Sequence, residues 1–191
     1  MVEPALATGG NKMIYVALLR GINVGGNNKI DMKELKETFE DVGMESVTTY
    51  INSGNIIFTD SSHSRLEIER TLEKAIMDRH MLNIKVLVRS LDDFDEMMKA
   101  LPGSWKNDKT MKSNVIFLVE GIDNGKLLDE LSIKEGIDTV KYVPGAILWM
   151  VDKKNSTKSG MLRLVGTKIY RDMTIRNVNT VRKIYEIMKG T

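Results

Sequence analysis

Residues 14–30, with the sequence IYVALLRGINVGGNNKI, decide the fold that this chain is expected to adopt. The first six residues are apolar at every position, which is typical of a strand that is covered on both faces. The next eleven residues contain three glycines, three asparagines, one arginine and one lysine. Such a loop offers backbone N–H groups, side-chain amides and positive charge in one place. We therefore look for a ligand site here first.

The strand before this loop and the residues after it predict the order βαββα, which a last strand completes to βαββαβ. Asp31 and Glu34 have the spacing of a helix N-terminus, and apolar residues then recur at helical intervals up to Gly43. Ser64 and Glu67 mark the start of a second helix. The predicted strands are at 14–19, 47–51, 56–59 and 84–88. The order βαββαβ is that of a ferredoxin-like sheet.

The same order of elements begins again in the second half of the chain. An apolar strand is predicted at 115–119, a short helix capped by Asp123, a hairpin at 139–151 and a helix from about Lys158. The predicted fold is α+β, with two similar ferredoxin-like halves of the βαββαβ type packed as one compact unit. Its parts are a flexible leader at 1–12, a first half at 13–90, a connecting helix and loop at 91–113, and a second half at 114–191 with a C-terminal helix.

The composition excludes several classes of protein. A chain of 191 residues with 42% hydrophobic and 28% charged residues is ordinary for a globular protein. Zero cysteines exclude disulfides and thiolate chemistry, and they fit a reducing cytoplasm, where we expect the protein to be located. No apolar run approaches the roughly 18 residues that a membrane span needs. Residues 1–10 lack the basic and apolar regions of a signal peptide.

Three polar segments supply the candidate ligand-binding residues. They are Arg20, Asn23, Gly25 and Lys29 in the first loop, Asn52, Ser53 and Asn55 in a predicted turn, and Arg176 and Asn177 before the last helix. Gly21 and Gly26 have the glycine spacing of a P-loop, but Asn27 and Asn28 stand where that motif requires Lys and Ser or Thr. The loop is therefore not a P-loop.

Each of these segments also has a structural alternative. Glycines and asparagines permit tight turns with positive φ whether or not a ligand binds. Asn177 could cap the last helix through its side chain. Arg20 directly follows a buried strand, so its guanidinium needs a ligand or a partner in its own chain, for example the carbonyls of the 52–55 turn.

Catalytic and nucleic-acid signatures are absent from the sequence. His63 and His80 have neither metal-ligand spacing nor a nucleophile as partner, so we expect no metal and no cofactor. The ferredoxin-like RRM needs an aromatic motif on its strands that this chain lacks, which disfavours nucleic acid as a partner. Lys106, Lys109 and Lys112 are interpreted as a solvated loop.

Three motifs resemble a bacterial domain-of-unknown-function family, number 1697. They are LRGINVGG at 19–26 with Lys29, Ile30 and Met32, TYINSGN at 49–55 with Phe58, and TIRNVNTV at 174–181 with Lys183. The resemblance runs from about Ile14 to the end of the chain, and Val178 stands where the family has tryptophan. It implies two intertwined ferredoxin-like halves, and it implies no activity.

The sequence leaves three functions open. The first is a binding module for a small anionic or polar ligand that uses the loop from Arg20 to Lys29. The second is a cofactor-independent enzyme that uses the same polar cluster. The third is a structural or oligomeric adaptor in which the loops only shape an interface. The sequence does not define the oligomeric state.

Overall fold

The computed structural model describes residues 12–26 and 28–191. It is a mixed α/β structure with two four-stranded antiparallel sheets and six α-helices. The predicted leader at 1–12 lies outside the described residues, except for Lys12. Among the described residues, no helix is long and apolar enough to cross a membrane.

The first sheet has the strand order β2-β3-β1-β4. Its elements are β1 (Met13–Leu19), α1 (Met32–Asp41), β2 (Glu45–Tyr50), β3 (Asn55–Asp60), α2 (Arg65–His80) and β4 (Val86–Ser90). The apolar strand β1 lies inside the sheet and pairs with both β3 and β4. Its pairing with β3 places Leu18 opposite Asn55, so the end of β1 lies beside the turn that precedes β3.

The second sheet has the order β6-β7-β5-β8, so its second apolar strand is also internal. Helix α3 (Leu91–Ala100) connects the sheets. The remaining elements are β5 (Met111–Leu118), α4 (Leu127–Glu130), β6 (Asp138–Val143), β7 (Ala146–Asp152), α5 (Met161–Leu164), β8 (Met173–Asn177) and α6 (Val178–Gly190). Helices α4 and α5 of this half are much shorter than α1 and α2 of the first half.

Side-chain caps fix where the longer helices begin. Asp31 accepts hydrogen bonds from the N–H groups of Lys33 and Glu34 at the start of α1. Helix α2 has the predicted reciprocal capping box of Ser64 and Glu67. Asn177 caps α6 by accepting from the N–H of Thr180 at 3.0 Å. These starts confirm the capping residues that the sequence indicates.

Two helix predictions in the second half are wrong in part. Asp123 does not cap a helix, because its carboxylate accepts from the Tyr142 hydroxyl and from the N–H of Gly145 in the β6–β7 turn. Helix α4 begins only at Leu127, after a short 3₁₀ turn. The helix expected from Lys158 is reduced to one turn, Met161–Leu164, within a connection of 3₁₀ turns.

One shared apolar core lies between the two sheets. The inner faces of both sheets pack against α3 and α6. Helix α3 contributes Phe94 and Met97, with Leu101 just after it, and α6 contributes Val178, Val181, Ile184 and Met188. The rings of Phe94 and Phe117 stack with centroids 5.7 Å apart. Val178 is fully buried in this core, so its side chain serves packing.

Candidate functional site

The first loop and the 52–55 turn lie side by side, and Asn23 joins them. The Asn23 amide nitrogen donates to the carbonyl of Asn52 and to that of Ile30, both at 3.0 Å. Its amide oxygen accepts from the N–H of Ile30, also at 3.0 Å. Asn23 has a φ of +53°, a left-handed conformation that asparagine tolerates. Its side chain therefore holds the loop in shape.

Gly54 allows the turn to approach the end of β1. Its φ is +71°, and a Cβ atom at this position would lie 2.7 Å from Cβ of Leu19 and 2.9 Å from the side chain of Ile22. The carbonyl of Gly54 accepts from the N–H of Leu19 at 2.8 Å. A glycine is thus required by both conformation and space.

Arg176 reaches this turn from the other sheet. It lies in β8, and its guanidinium donates to the side-chain oxygen of Asn55 at 2.6 Å and to the carbonyls of Leu19 and Ser53 at 2.8 and 2.9 Å. Burial lowers the pKa of Arg176 to about 10, so it remains protonated at neutral pH. The predicted residues Ser53, Asn55 and Arg176 are therefore brought together, but in an internal network that joins the two sheets.

Arg89 makes the reciprocal connection, and sequence analysis missed it. It lies in β4, is 5% exposed, and donates to the carbonyls of Leu118 and Gly145 in the second half. Burial lowers its pKa below the ordinary arginine value. One signal could have found it: Arg89 and Arg176 each directly precede a helix cap, Ser90 or Asn177.

Arg20 is also engaged with the second half. Its guanidinium lies over the ring of Tyr170, 4.6 Å from the centroid, and donates to the carbonyl of Arg171. The alternative that Arg20 binds the carbonyls of the 52–55 turn is therefore wrong. Arg176 binds those carbonyls, and Arg20 contacts residues 170 and 171 instead. The side chain of Asn177 bonds within its own helix start, to the N–H and hydroxyl of Thr180.

An open cleft of about 600 Å³ lies in front of this framework. Its lining comes from the first loop, the start of α1 and the turn, namely Asn23, Gly26, Lys29, Ile30, Asp31, Met32, Lys33 and Asn52. Of the predicted residues, Lys29 and Asn52 line it with exposed side chains, and Gly25 lies next to it with a φ of +59°. Lys33, two residues after the helix cap, lines the same cleft but was not predicted.

The cleft carries a local excess of positive charge. Among residues 12–26 and 28–191, no carboxylate forms an ion pair with the ammonium group of Lys29 or Lys33. Asp31 is the acidic residue of the lining, and its carboxylate already accepts two N–H groups of α1. Two lysines thus line the cleft together with one carboxylate, of which one oxygen accepts both capping N–H groups.

The described part of the chain contains no group of three or more His, Cys, Asp or Glu side chains that could hold a metal ion. His63 instead bonds to Asp60, with 3.0 Å between Nδ1 and Oδ2. His80 lies 2.9 Å from the hydroxyl of Thr38. Independence from metals stays a prediction, which elemental analysis of protein purified without chelator tests.

Comparisons with known proteins place the chain in a family. It is similar to the conserved bacterial protein SP0830 from Streptococcus pneumoniae, with 31% identity over 93% of this chain and 99% of that one, and a TM-score of 0.79. No curated protein matches. Residues 13–149 match the family described as protein of unknown function DUF1697. The chain therefore belongs to the DUF1697 family.

Proposed function

We propose that this protein binds a small anionic ligand in the cleft in front of the first loop. The observation that carries the proposal is that Lys29 and Lys33 line one cleft without a carboxylate partner among the described residues. A phosphate or carboxylate group placed between them gains two charge-assisted hydrogen bonds. The exposed amide of Asn52 adds a neutral polar contact.

The other candidate residues act by positioning the cleft wall. Asn23 holds the loop against the turn, and Arg176 holds the turn and the end of β1 against the second half. Their polar atoms are engaged within the protein, so a ligand would have to break existing hydrogen bonds to reach them. The proposed contacts are therefore Lys29, Lys33, Asn52 and the backbone around Gly25 and Gly26.

Substitution of the two lysines tests the proposal. Inorganic phosphate and pyrophosphate are titrated into the full chain by isothermal calorimetry at low salt. Lys29→Gln and Lys33→Gln are each expected to weaken binding about tenfold, because each removes one charge-assisted bond of about 1.4 kcal/mol. Lys126→Gln is the control, because Lys126 is an exposed lysine of the second half. Equal affinities for the double variant and the control would refute the proposal.

Arg20→Ala separates ligand contact from framework. We expect it to lower the free energy of unfolding by about 1–2 kcal/mol, since a cation–π contact and a hydrogen bond to a carbonyl are lost. The affinity for pyrophosphate should stay within a factor of two or so, because the guanidinium faces Tyr170 and Arg171. A loss of affinity without a loss of stability would make Arg20 a ligand contact instead.

We infer further that the two halves are copies of one ferredoxin-like unit. The shared strand order, with β1 and β5 in the same place, supports this. So do the matching bonds of Leu19 to Gly54 and of Leu118 to Gly145. Superposition of residues 14–89 on 115–170 in a crystal structure tests it. Zero cysteines and the bacterial structural relative support a cytoplasmic, bacterial protein.

A further inference from the structure

The outer face of the second sheet is less completely covered than that of the first. In the first half, the 16-residue helix α2 connects β3 to β4 and buries Ile68, Leu72 and Ile76. The corresponding connection from β7 to β8 contains α5, with four residues. Its side chains Leu162 and Val165 are 58% and 62% exposed. These are among the largest exposures of apolar side chains in the described residues.

A groove of about 170 Å³ lies beside α5. Its apolar wall is formed by Val151, Met161, Leu162, Val165 and Ile175. Ile175 is partly exposed, whereas Val88, at the matching place in β4, is fully buried beneath α2. The groove thus marks the part of the outer face that a longer helix covers in the first half.

The edge of β4 shows what that helix supplies besides apolar contact. The N–H of Val88 donates to Glu69 of α2 at 2.8 Å, and the N–H of Val86 donates to Glu73 at 3.1 Å. Burial raises the pKa of Glu69, as expected for a carboxylate held against a sheet edge. Two glutamates one helical turn apart therefore cover the open edge of the first sheet.

The edge of β8 presents the same donor without such a cover. Val88 lies opposite Ala17, and Ile175 lies opposite Ile116. Hydrogen bonding alternates in the same way along both strand pairs. The N–H of Arg20 donates to the carbonyl of Lys85 in the first sheet, and the N–H of Val119 donates to the carbonyl of Asp172 in the second. The N–H of Ile175 therefore points away from β5, towards the edge. In the described ranges, no side chain accepts a hydrogen bond from it.

The rim of the groove is basic. Lys112 lines the groove itself. Lys109, Lys153 and Lys154 line the adjoining cleft, with Asp152 as its carboxylate. The segments 109–112 and 152–154 are neighbours, because Met111 pairs with Asp152 and the N–H of Lys153 donates to the carbonyl of Thr110. The basic run at 106–112, interpreted from sequence as a solvated loop, thus adjoins an apolar groove.

We propose that this groove docks an acidic amphipathic helix of a partner protein. The apolar side of that helix packs on Leu162, Val165 and Ile175. One of its carboxylates accepts from the N–H of Ile175, as Glu69 does from Val88, and others lie against Lys112 and Lys153. The surface is separate from the anion cleft, so the proposal does not depend on ligand binding there.

A peptide with the sequence of α2 and its flanking residues tests this docking. The probe is a fluorescein-labelled peptide of residues 64–81 carrying Arg70→Glu and Lys74→Glu, and its anisotropy is measured with the full chain. Saturable binding is expected, and Leu162→Ser and Val165→Ser should each weaken it at least about fivefold through loss of apolar burial. Leu66→Ser in the full chain, with the probe unchanged, is the matched control, because Leu66 is a leucine on α2 that is 47% exposed and lies outside the groove lining.

A second pair of measurements tests the polar contacts. The probe with Glu69→Gln and Glu73→Gln, and the chain with Lys112→Gln and Lys153→Gln, should each bind about tenfold more weakly. The proposal is overturned by absence of saturable binding up to about 1 mM probe. It is also overturned by equal binding to the groove variants. If duplex DNA or phosphatidylglycerol vesicles bind this surface more tightly than the probe does, the surface belongs to another class of partner and the proposal is overturned as well.

Discussion

Arg176→Ala is expected to lower the free energy of unfolding by about 3–5 kcal/mol, because it leaves several buried acceptors without a donor. The guanidinium of Arg176 serves the carbonyls of Leu19 and Ser53 and the side-chain oxygen of Asn55. Asn55 is completely buried, so water cannot replace the lost bond. The substitution also removes the hydrogen bonds between the 52–55 turn and the second sheet.

Urea unfolding of Arg176→Ala, followed by circular dichroism, measures this loss. Arg163→Ala is the control, because Arg163 is exposed on α5, and its effect should lie within about 0.5 kcal/mol. Arg176→Lys should restore only part of the stability, since an ammonium group does not reproduce the planar fork of donors. A loss no larger than that of Arg163→Ala would show that the hydrogen bonds of Arg176 do not help to hold the two halves together.

Gly54→Ala is expected to cost about 2–4 kcal/mol, from backbone strain at positive φ together with steric overlap. The added methyl group would lie 2.7 Å from Leu19, in the strand that organises the first sheet. Relief of that overlap requires the turn to move away from β1, which also breaks the hydrogen bond between Leu19 and Gly54. Asn52, on the cleft wall, would move with the turn.

Gly25→Ala is the matched control for this substitution. Gly25 also has a positive φ, but nothing lies within 4 Å of its added Cβ. Its cost should therefore be the conformational part alone, about 1 kcal/mol. Thermal unfolding of both variants gives the comparison. If the two lose the same stability, the close approach of the turn to β1 is not a constraint on the fold.

The order of elements was predictable because local patterns specify it. The apolar runs of β1 and β5 indicate internal strands, and Ser64 and Asn177 indicate helix starts. The two short helices of the second half were not predictable to the same degree. Apolar residues recur from Met161 at helical intervals, but the connection forms 3₁₀ turns beyond Leu164. Asp123 binds the N–H of Gly145, which is distant in sequence, and so does not cap a helix.

The candidate site was predictable as segments but not as an arrangement. The sequence indicates a polar loop and a polar turn, whereas their adjacency follows from the register that pairs Leu18 with Asn55. Arg89 and Arg176 have no local signal for their partners, because those partners lie in the opposite half of the chain. Polar residue type alone therefore does not distinguish a proposed ligand contact such as Lys29 from a framework residue such as Asn23.

The most direct test of the anion cleft is a ¹H–¹⁵N NMR titration of the full chain with inorganic pyrophosphate. We expect saturable shifts at the backbone amides of Gly26, Lys29, Lys33 and Asn52, which line the cleft. The amides of Lys153 and Lys154, which belong to the separate basic rim, should shift far less. Absence of saturable shifts at the cleft, or larger shifts at Lys153 and Lys154, would contradict the account.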